Sequence, residues 1–286
     1  MTTNVAATRR HPITGITEEI AYFGEAPQML GSIHLPAGEI EGAVVICSST
    51  HAEMLKAYHL EVVLARALAA RGIAVHRFQY RGDGNSEGLD TDLTLPAMID
   101  AGREVRSRLK ERTGLDRVGY AAVRLGAYPA AALAEEEAGT AILLWDPIPD
   151  TDAFIRDAVR SHAIAALKAE AKPESLDKVL KRLDQDGVVE LLGYEITSAF
   201  HNSIAGKKLS DYTPLETKVM IVPFGSLNME PIVEAWSHAG IDVANQDRTG
   251  SEPWWLAEQV SQDRHHAANT LADKSADWLA AAIKGA

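Results

Sequence analysis

The stretch Ala122-Val-Arg-Leu-Gly-Ala127 follows a short apolar run, Val118-Gly-Tyr-Ala-Ala122, and leads straight into the apolar segment Ala127–Ala134. A strand, a sharp turn and a helix, with a glycine two residues past the apex, is the geometry that presents a nucleophile in the G-x-S-x-G elbow. Here the first glycine is replaced by Ala122 and the apex serine by Arg124. A guanidinium stays protonated, so it neither attacks a carbonyl nor removes a proton. It grips anions instead, bidentately when the anion is a carboxylate or phosphate. At a helix N-terminus the macrodipole opposes such a cation by about 0.3–1 kcal/mol, and burying it unpaired costs more. Arg124 therefore requires an anionic partner, from the protein or from a substrate.

Other residues able to do chemistry come after other apolar runs. After Ala43–Cys47 comes Ser48-Ser-Thr-His-Ala-Glu-Met-Leu-Lys56, a polar loop expected to open a helix near Ala57. Its free N–H groups suit an anion or oxyanion, with Ser48, Ser49, His51 and Glu53 as candidate site residues. The plainer reading makes Ser49 or Thr50 a helix cap and Glu53 an acid that complements the dipole. The glycine-rich loop Tyr80-Arg-Gly-Asp-Gly-Asn-Ser-Glu-Gly88 lacks dinucleotide-binding spacing and a helix directly behind it, so it reads as a structural turn. Near the end, Gly250-Ser-Glu-Pro-Trp-Trp255 sets Glu252 beside Trp254 and Trp255. A carboxylate against indoles can shuttle protons, and paired tryptophans can wall a flat ligand; alternatively Trp255 is core and Glu252 solvated. Tyr194 and His201 are candidates for lining a lid. Neighbouring His265 and His266 point apart on a helix, so no metal site is expected, and no cofactor is called for.

These residues need a scaffold. The apolar runs Ala43–Cys47, Ala74–Phe78, Val118–Ala122, Ala141–Trp145, Lys218–Val222 and Ile241–Ala244 alternate with segments of helical period, such as Leu60-Val63-Leu64-Leu68 and Met98-Ala101-Val105-Leu109. Buried strands alternating with amphipathic helices give an α/β fold with a mainly parallel sheet covered on both faces. A hairpin is expected over Glu18–Leu35, after a loose polar arm at residues 1–16. From 151 to 210 no strand is evident. Helices over Ala153–Ala171, Pro173–Gln185 and Val188–Ile204 read as an insertion, which divides the chain into a core (17–150 and 211–286) and a helical cap (151–210).

The balance of 28 Lys+Arg against 40 Asp+Glu, a net −12, repels phosphate backbones and argues against nucleic acid. No apolar run nears the roughly 20 residues that span a bilayer, and the start shows no signal peptide. With one cysteine, Cys47, no intrachain disulfide forms, which suits the cytoplasm.

The element order, the Arg81–Gly88 loop, the turn at Arg124 and the insertion together resemble the α/β-hydrolase fold, in its serine-aminopeptidase-like branch. Ala52–Lys56, Val123–Ala127, Leu144–Pro147, Val189–Ile196 and Gly250–Glu258 resemble more narrowly the exosortase A system-associated hydrolase family 2. The resemblance implies a nucleophile at the turn, an acid after strand 218–222 and a histidine in the last loop. This chain has Arg124, Asn228 (with Glu230 two residues on) and no histidine in Gly250–Trp255, so the Ser-His-Asp set is absent. The resemblance also puts the loop after strand 43–47 beside the turn, making Glu53 the first candidate partner of Arg124. The expected function is a hydrolase-superfamily enzyme with a remodelled site. Arg124 binds an anionic or acyl-type small molecule, and Glu53 with Glu252 performs acid/base work in hydrolysis, elimination, cyclisation or acyl transfer. The alternative is an inactive pseudo-hydrolase that binds or scaffolds. A homodimer is among the expected assemblies.

Overall fold

The computed structural model describes residues 5–137, 141–215, 217–224, 227–245 and 262–285. Its sheet starts with three antiparallel strands, β1 (Val5–Arg10), β2 (Thr17–Phe23) and β3 (Met29–Leu35). It continues through six parallel strands that match the six apolar runs: β4 (Gly42–Cys47), β5 (Ile73–Phe78), β6 (Gly119–Val123), β7 (Ala141–Trp145), β10 (Lys218–Val222) and β11 (Asp242–Asn245). The spatial order is β1-β2-β3-β5-β4-β6-β7-β10-β11. The segment 5–10, expected as part of a loose arm, is a sheet edge instead. A tight turn at Gly15 (φ 71°) returns the chain, with the His11 N–H donating to the Ile16 carbonyl at 2.8 Å, so that β1 takes up the free hydrogen-bonding edge of β2.

Both faces of the sheet are covered, which is why its strands are apolar throughout rather than alternating. Val44 and Ile46 of β4 pack with α1 (His51–Ala69) and α8 (Gln262–Lys284). Ala43, Val45 and Cys47 face the opposite layer of α2 (Leu95–Thr113), α3 (Ala127–Glu135) and α7 (Glu230–His238). Among the described residues no helix is long and apolar enough to cross a membrane.

Between β7 and β10 lies the insertion: α4 (Asp152–Lys168), α5 (Leu176–Asp186), β8 (Val188–Leu191), β9 (Tyr194–Thr197) and α6 (Ser198–Ile204). The helix expected over 188–204 is therefore a hairpin followed by a short helix. Its residues alternate, with Val189, Leu191 and Ile196 buried and Val188, Glu190 and Glu195 exposed. Leu192 (φ 57°) and Gly193 (φ 81°) make the two-residue turn with paired positive φ that matches strand twist. The ends of the insertion are pinned together. The Thr151 N–H donates to the Lys207 carbonyl at 3.0 Å and its hydroxyl to the Ile204 carbonyl.

The Arg124 turn sits hard against the loop after β4. A Cβ on Gly126 would lie 2.1 Å from the Cys47 carbonyl oxygen and 2.6 Å from that of Ser48. Backbone on both sides leaves no room to give. Gly126→Ala should cost at least about 2 kcal/mol in urea denaturation, whereas Gly38→Ala, whose Cβ meets open space, should stay within about 0.5 kcal/mol.

Candidate functional site

Three positions at the carboxyl end of the sheet hold non-glycine residues in left-handed backbone: His51 (φ 55°) after β4, Arg124 (φ 52°) after β6 and Asp146 (φ 44°) after β7. These three strands are neighbours. Such strain costs of order 1–3 kcal/mol per residue and gathers where side chains must be aimed, so its concentration marks this rim independently of residue chemistry. The rim is also where open α/β sheets bind ligands.

Arg124 lies at the apex of the strand-to-helix turn, 2% exposed. Its Nε and Nη2 donate to Glu53 Oε1 at 3.0 and 2.9 Å, its Nη1 to Asp146 Oδ2 at 3.0 Å and its Nη2 to Asp157 Oδ2 at 2.7 Å. Burial opposes the charge, but the carboxylates outweigh it and hold the guanidinium above its ordinary pKa. The sequence requirement for an anionic partner is thus met by Glu53 and by two residues that sequence reasoning missed. Asp146 stands directly after the last residue of β7, at the carboxyl end of a parallel strand, and that placement is the signal that could have found it. Its other oxygen accepts from the Phe224 N–H at 2.9 Å, which ties β7 to β10. Asp157 comes from α4 in the insertion, away from any strand end, and no local signal marks it.

Glu53 is in the first turn of α1, which starts at His51 rather than near Ala57. Thr50 makes no side-chain cap. The His51 N–H is instead received by Asp83 of the glycine-rich loop, at 3.3 Å to each carboxylate oxygen, a cap from 32 residues away. Glu53 Oε2 accepts from the Ser49 hydroxyl at 2.7 Å. His51 is buried against Phe154, Phe200 and Tyr194. Burial lowers its pKa to about 4, opposed by a hydrogen bond to the Glu195 backbone, so the ring is neutral; the Thr50 hydroxyl lies 2.8 Å from Nδ1. Through these contacts His51 seats the insertion on α1.

A cavity of about 130 Å³ opens beside this cluster, lined among others by His51, Glu53, Arg124, Phe154 and Asp157. Lys56 and Arg160 also line it, and neither makes an ion pair among the described residues. Ser48 is not part of this site: its hydroxyl donates to Glu61 Oε2 at 2.8 Å, on the other side of the loop. Tyr194 reaches the site only through His51, and His201, on α6, does not line the cavity. Glu252, Trp254 and Trp255 lie outside the described residues, as do the side chains of His265 and His266. Asn228 accepts from the Glu230 N–H at 3.0 Å and serves the start of α7. Burial pushes the Cys47 thiol well above its usual pKa, which leaves it unreactive.

Neither a protein-family model nor a curated protein matches the chain at the sequence level. Solved structures do. Est1E from Butyrivibrio proteoclasticus is similar with a TM-score of 0.61 at 13% identity, over 92% of this chain and 97% of that one. An S-formylglutathione hydrolase from Agrobacterium tumefaciens gives 0.58 at 13%, over 98% and 99%. The alpha/beta hydrolase GrgF from Penicillium sp. sh18 gives 0.58 at 14%, over 94% and 99%. The chain has the α/β-hydrolase fold; identities this low carry the fold and nothing finer.

The electrostatics of the rim are testable through stability. Arg124→Met should destabilise the protein by about 3–5 kcal/mol at neutral pH, since it strands buried carboxylates, and the loss should shrink as pH falls and they take up protons. Urea denaturation at two pH values reads this; an unchanged stability would contradict the cluster. Burial raises Asp83 from 3.8 to about 7, against the hydrogen bonds it accepts from His51 and Gly84. A raised carboxyl favours the folded state fully below its unfolded pKa and loses that contribution as pH rises through about 7. Asp83→Asn should therefore flatten the decline of stability between pH 4 and 8.

Proposed function

We propose that the chain is an α/β-hydrolase-fold enzyme with a remodelled site that lacks the Ser-His-Asp set and acts on a small anionic or acyl-type substrate. The observation that carries this reading is the buried Arg124 at the turn with a cavity beside it. Of its three carboxylate partners, Asp157 is the most exposed, at 41% of its side chain, against 16% for Glu53 and 1% for Asp146. Asp157 is thus the partner that a substrate carboxylate can replace, since it offers Nη2 the same oxygen chemistry. Once displaced, it has Lys56 and Arg160 as neighbours along the cavity wall.

With the anionic group held by Arg124, Glu53 is the base beside the acyl centre. Its Oε1 stays on the guanidinium while Oε2, which accepts from Ser49, is free to exchange that hydrogen bond for a proton taken from water or from carbon next to a carbonyl. Proton removal of this kind serves hydrolysis, elimination, cyclisation and acyl transfer alike. Glu252 is assigned as the second acid/base group and Trp254 with Trp255 as a wall of the ligand site. The narrower resemblance to the exosortase A system-associated hydrolase family 2 rests on the sequence segments alone. The insertion acts as the cap, and a reducing cytoplasm suits the lone Cys47.

A second reading has its own observation. Arg124 is sealed, and four of its donor contacts go to protein carboxylates, which also describes a closed pseudo-hydrolase that binds without turning over. The two part experimentally on a panel of acyl esters and thioesters, with p-nitrophenyl hemisuccinate compared against p-nitrophenyl acetate. Turnover should favour the hemisuccinate. Glu53→Gln should lower kcat about 10²–10⁴-fold, and Asp157→Asn should lower KM for the hemisuccinate alone. Stoichiometric labelling by a fluorophosphonate would overturn the absence of an activated serine. Turnover untouched by Glu53→Gln would overturn its role.

A further inference from the structure

A second and larger cavity, about 350 Å³, lies away from the Arg124 rim, between α1 and the β2, β3 and β5 strands. Its volume is that of a small-molecule site. Two of the charged residues that line it are buried and have no role at Arg124. Glu61, on α1, is 2% exposed, and Arg77, on β5, is 6% exposed. Glu61 Oε2 accepts from Ser48 and stands 3.6 Å from Arg77 Nη2. The Arg77 guanidinium lies over the Tyr58 ring at 4.6 Å, and its Nη1 reaches the Ser32 hydroxyl at 3.5 Å, the limit of a hydrogen bond. Two atoms are left over: Glu61 Oε1 and Arg77 Nε are both buried and neither has a hydrogen-bond partner.

An unmade acceptor and an unmade donor side by side in a buried pair are costly, and native structures seldom keep them without a ligand or water to complete them. The completing group has a defined chemistry. Arg77 lacks an acceptor and Glu61 lacks a donor. Around them the cavity has three cations (Arg9, Arg66, Arg77) against two carboxylates (Glu18, Glu61). Glu18 is taken by Arg66 at 2.5 Å and by His34 at 3.4 Å, and Arg9 makes no ion pair among the described residues. With Glu61 ionised one positive charge is in excess, and burial, which raises the Glu61 pKa against Arg77 and Ser48, adds to that excess. Leu30, Met54 and Phe78 give the cavity apolar wall.

We propose that this cavity is a binding site for a small carboxylate that carries a hydrogen-bond donor on its α-carbon and a short apolar side chain. The carboxylate takes Arg77 and the donor takes Glu61 Oε1. A 2-hydroxy acid, a monoanion, matches the single excess cation; a 2-amino acid offers the same donor–acceptor pair without net charge. Nothing in this assignment depends on what happens at Arg124.

The test is calorimetric titration of the full-length protein with three compounds: 2-hydroxy-4-methylpentanoate, leucine and 4-methylpentanoate. The hydroxy acid should bind saturably, and the compound lacking the donor about tenfold more weakly, the worth of one hydrogen bond to a charged group. Leucine binding better than the hydroxy acid assigns the donor as ammonium, still within the proposed class. Glu61→Gln, which keeps shape, should weaken the hydroxy acid about tenfold. Arg9→Ala, at an exposed edge where folding is not at stake, should weaken both acids. Glu53→Gln and Asp157→Asn should leave the affinity unchanged. The proposal is overturned if neither donor-bearing acid binds at millimolar concentration, if 4-methylpentanoate binds equally well, or if Glu53→Gln or Asp157→Asn alters the affinity and so places the ligand in the other cavity.

Discussion

A guanidinium removed from water at the apex of the β6–α3 turn is the constraint around which the carboxyl end of this sheet is arranged. Its charge has to be met, and it is met from three directions: Glu53 from the first turn of α1, Asp146 from the end of β7, and Asp157 from α4 of the insertion. Each partner belongs to a different element, so one charge fixes the relative placement of the α1 start, two adjacent strand ends and the insertion. On general grounds such a cluster is a poor stability device, because apolar residues of similar volume often replace a buried ion network without loss. What the four charged groups fix at this strained turn is therefore geometry more than stability.

The backbone supports that view. Left-handed Arg124 and Asp146 direct their side chains toward each other across neighbouring strands, and left-handed His51 starts α1 early enough for Glu53 to reach the same point. His51 is held by a contact from the glycine-rich loop after β5, where Asp83 receives its N–H. The glycines of that loop thus have a function at one remove from phosphate binding: they let the chain turn so that a carboxylate can cap a helix elsewhere. Gly126 allows the arginine turn to close onto the Cys47 and Ser48 carbonyls.

Much of this is readable in the sequence. The six parallel strands stand out because both faces of the sheet are covered and their residues are apolar without interruption. Arg124 stands out because a strand–turn–helix with Gly126 defines an apex, and the need to neutralise it leads to Glu53. The features that escape such reading are non-local. The β8–β9 hairpin alternates over only a few residues per strand and merges into flanking helical periodicity, although Leu-Gly between alternating runs is its turn signal. The start of α1 is misplaced from sequence because its cap is Asp83, distant in the chain, and not Thr50. Asp157 is invisible there, since an acid on an amphipathic helix has no distinguishing neighbourhood until the insertion folds back on the core.

The loop after β4 separates two chemistries through two adjacent residues. Consecutive side chains in extended backbone point to opposite sides, and here Ser49 gives its hydroxyl to Glu53 while Ser48 gives its hydroxyl to Glu61. Both acceptors lie on α1, so the helix is a partition: one edge faces the Arg124 rim and the other faces the cavity over Arg77. Energetic communication between such sites needs an element with alternative arrangements that both sides bias. The Ser48–Ser49 dipeptide meets both sides in a single arrangement, one hydroxyl to each, which leaves the two cavities independent. Its freedom is restricted by the strained His51 just beyond it, whose backbone is fixed by Asp83 and whose ring is enclosed by Phe154, Phe200 and Tyr194. The aromatic enclosure comes from the insertion. The glycine-rich loop and the insertion together therefore hold His51, and with it the dipeptide, in the one arrangement that keeps Glu53 and Glu61 on separate sides of α1.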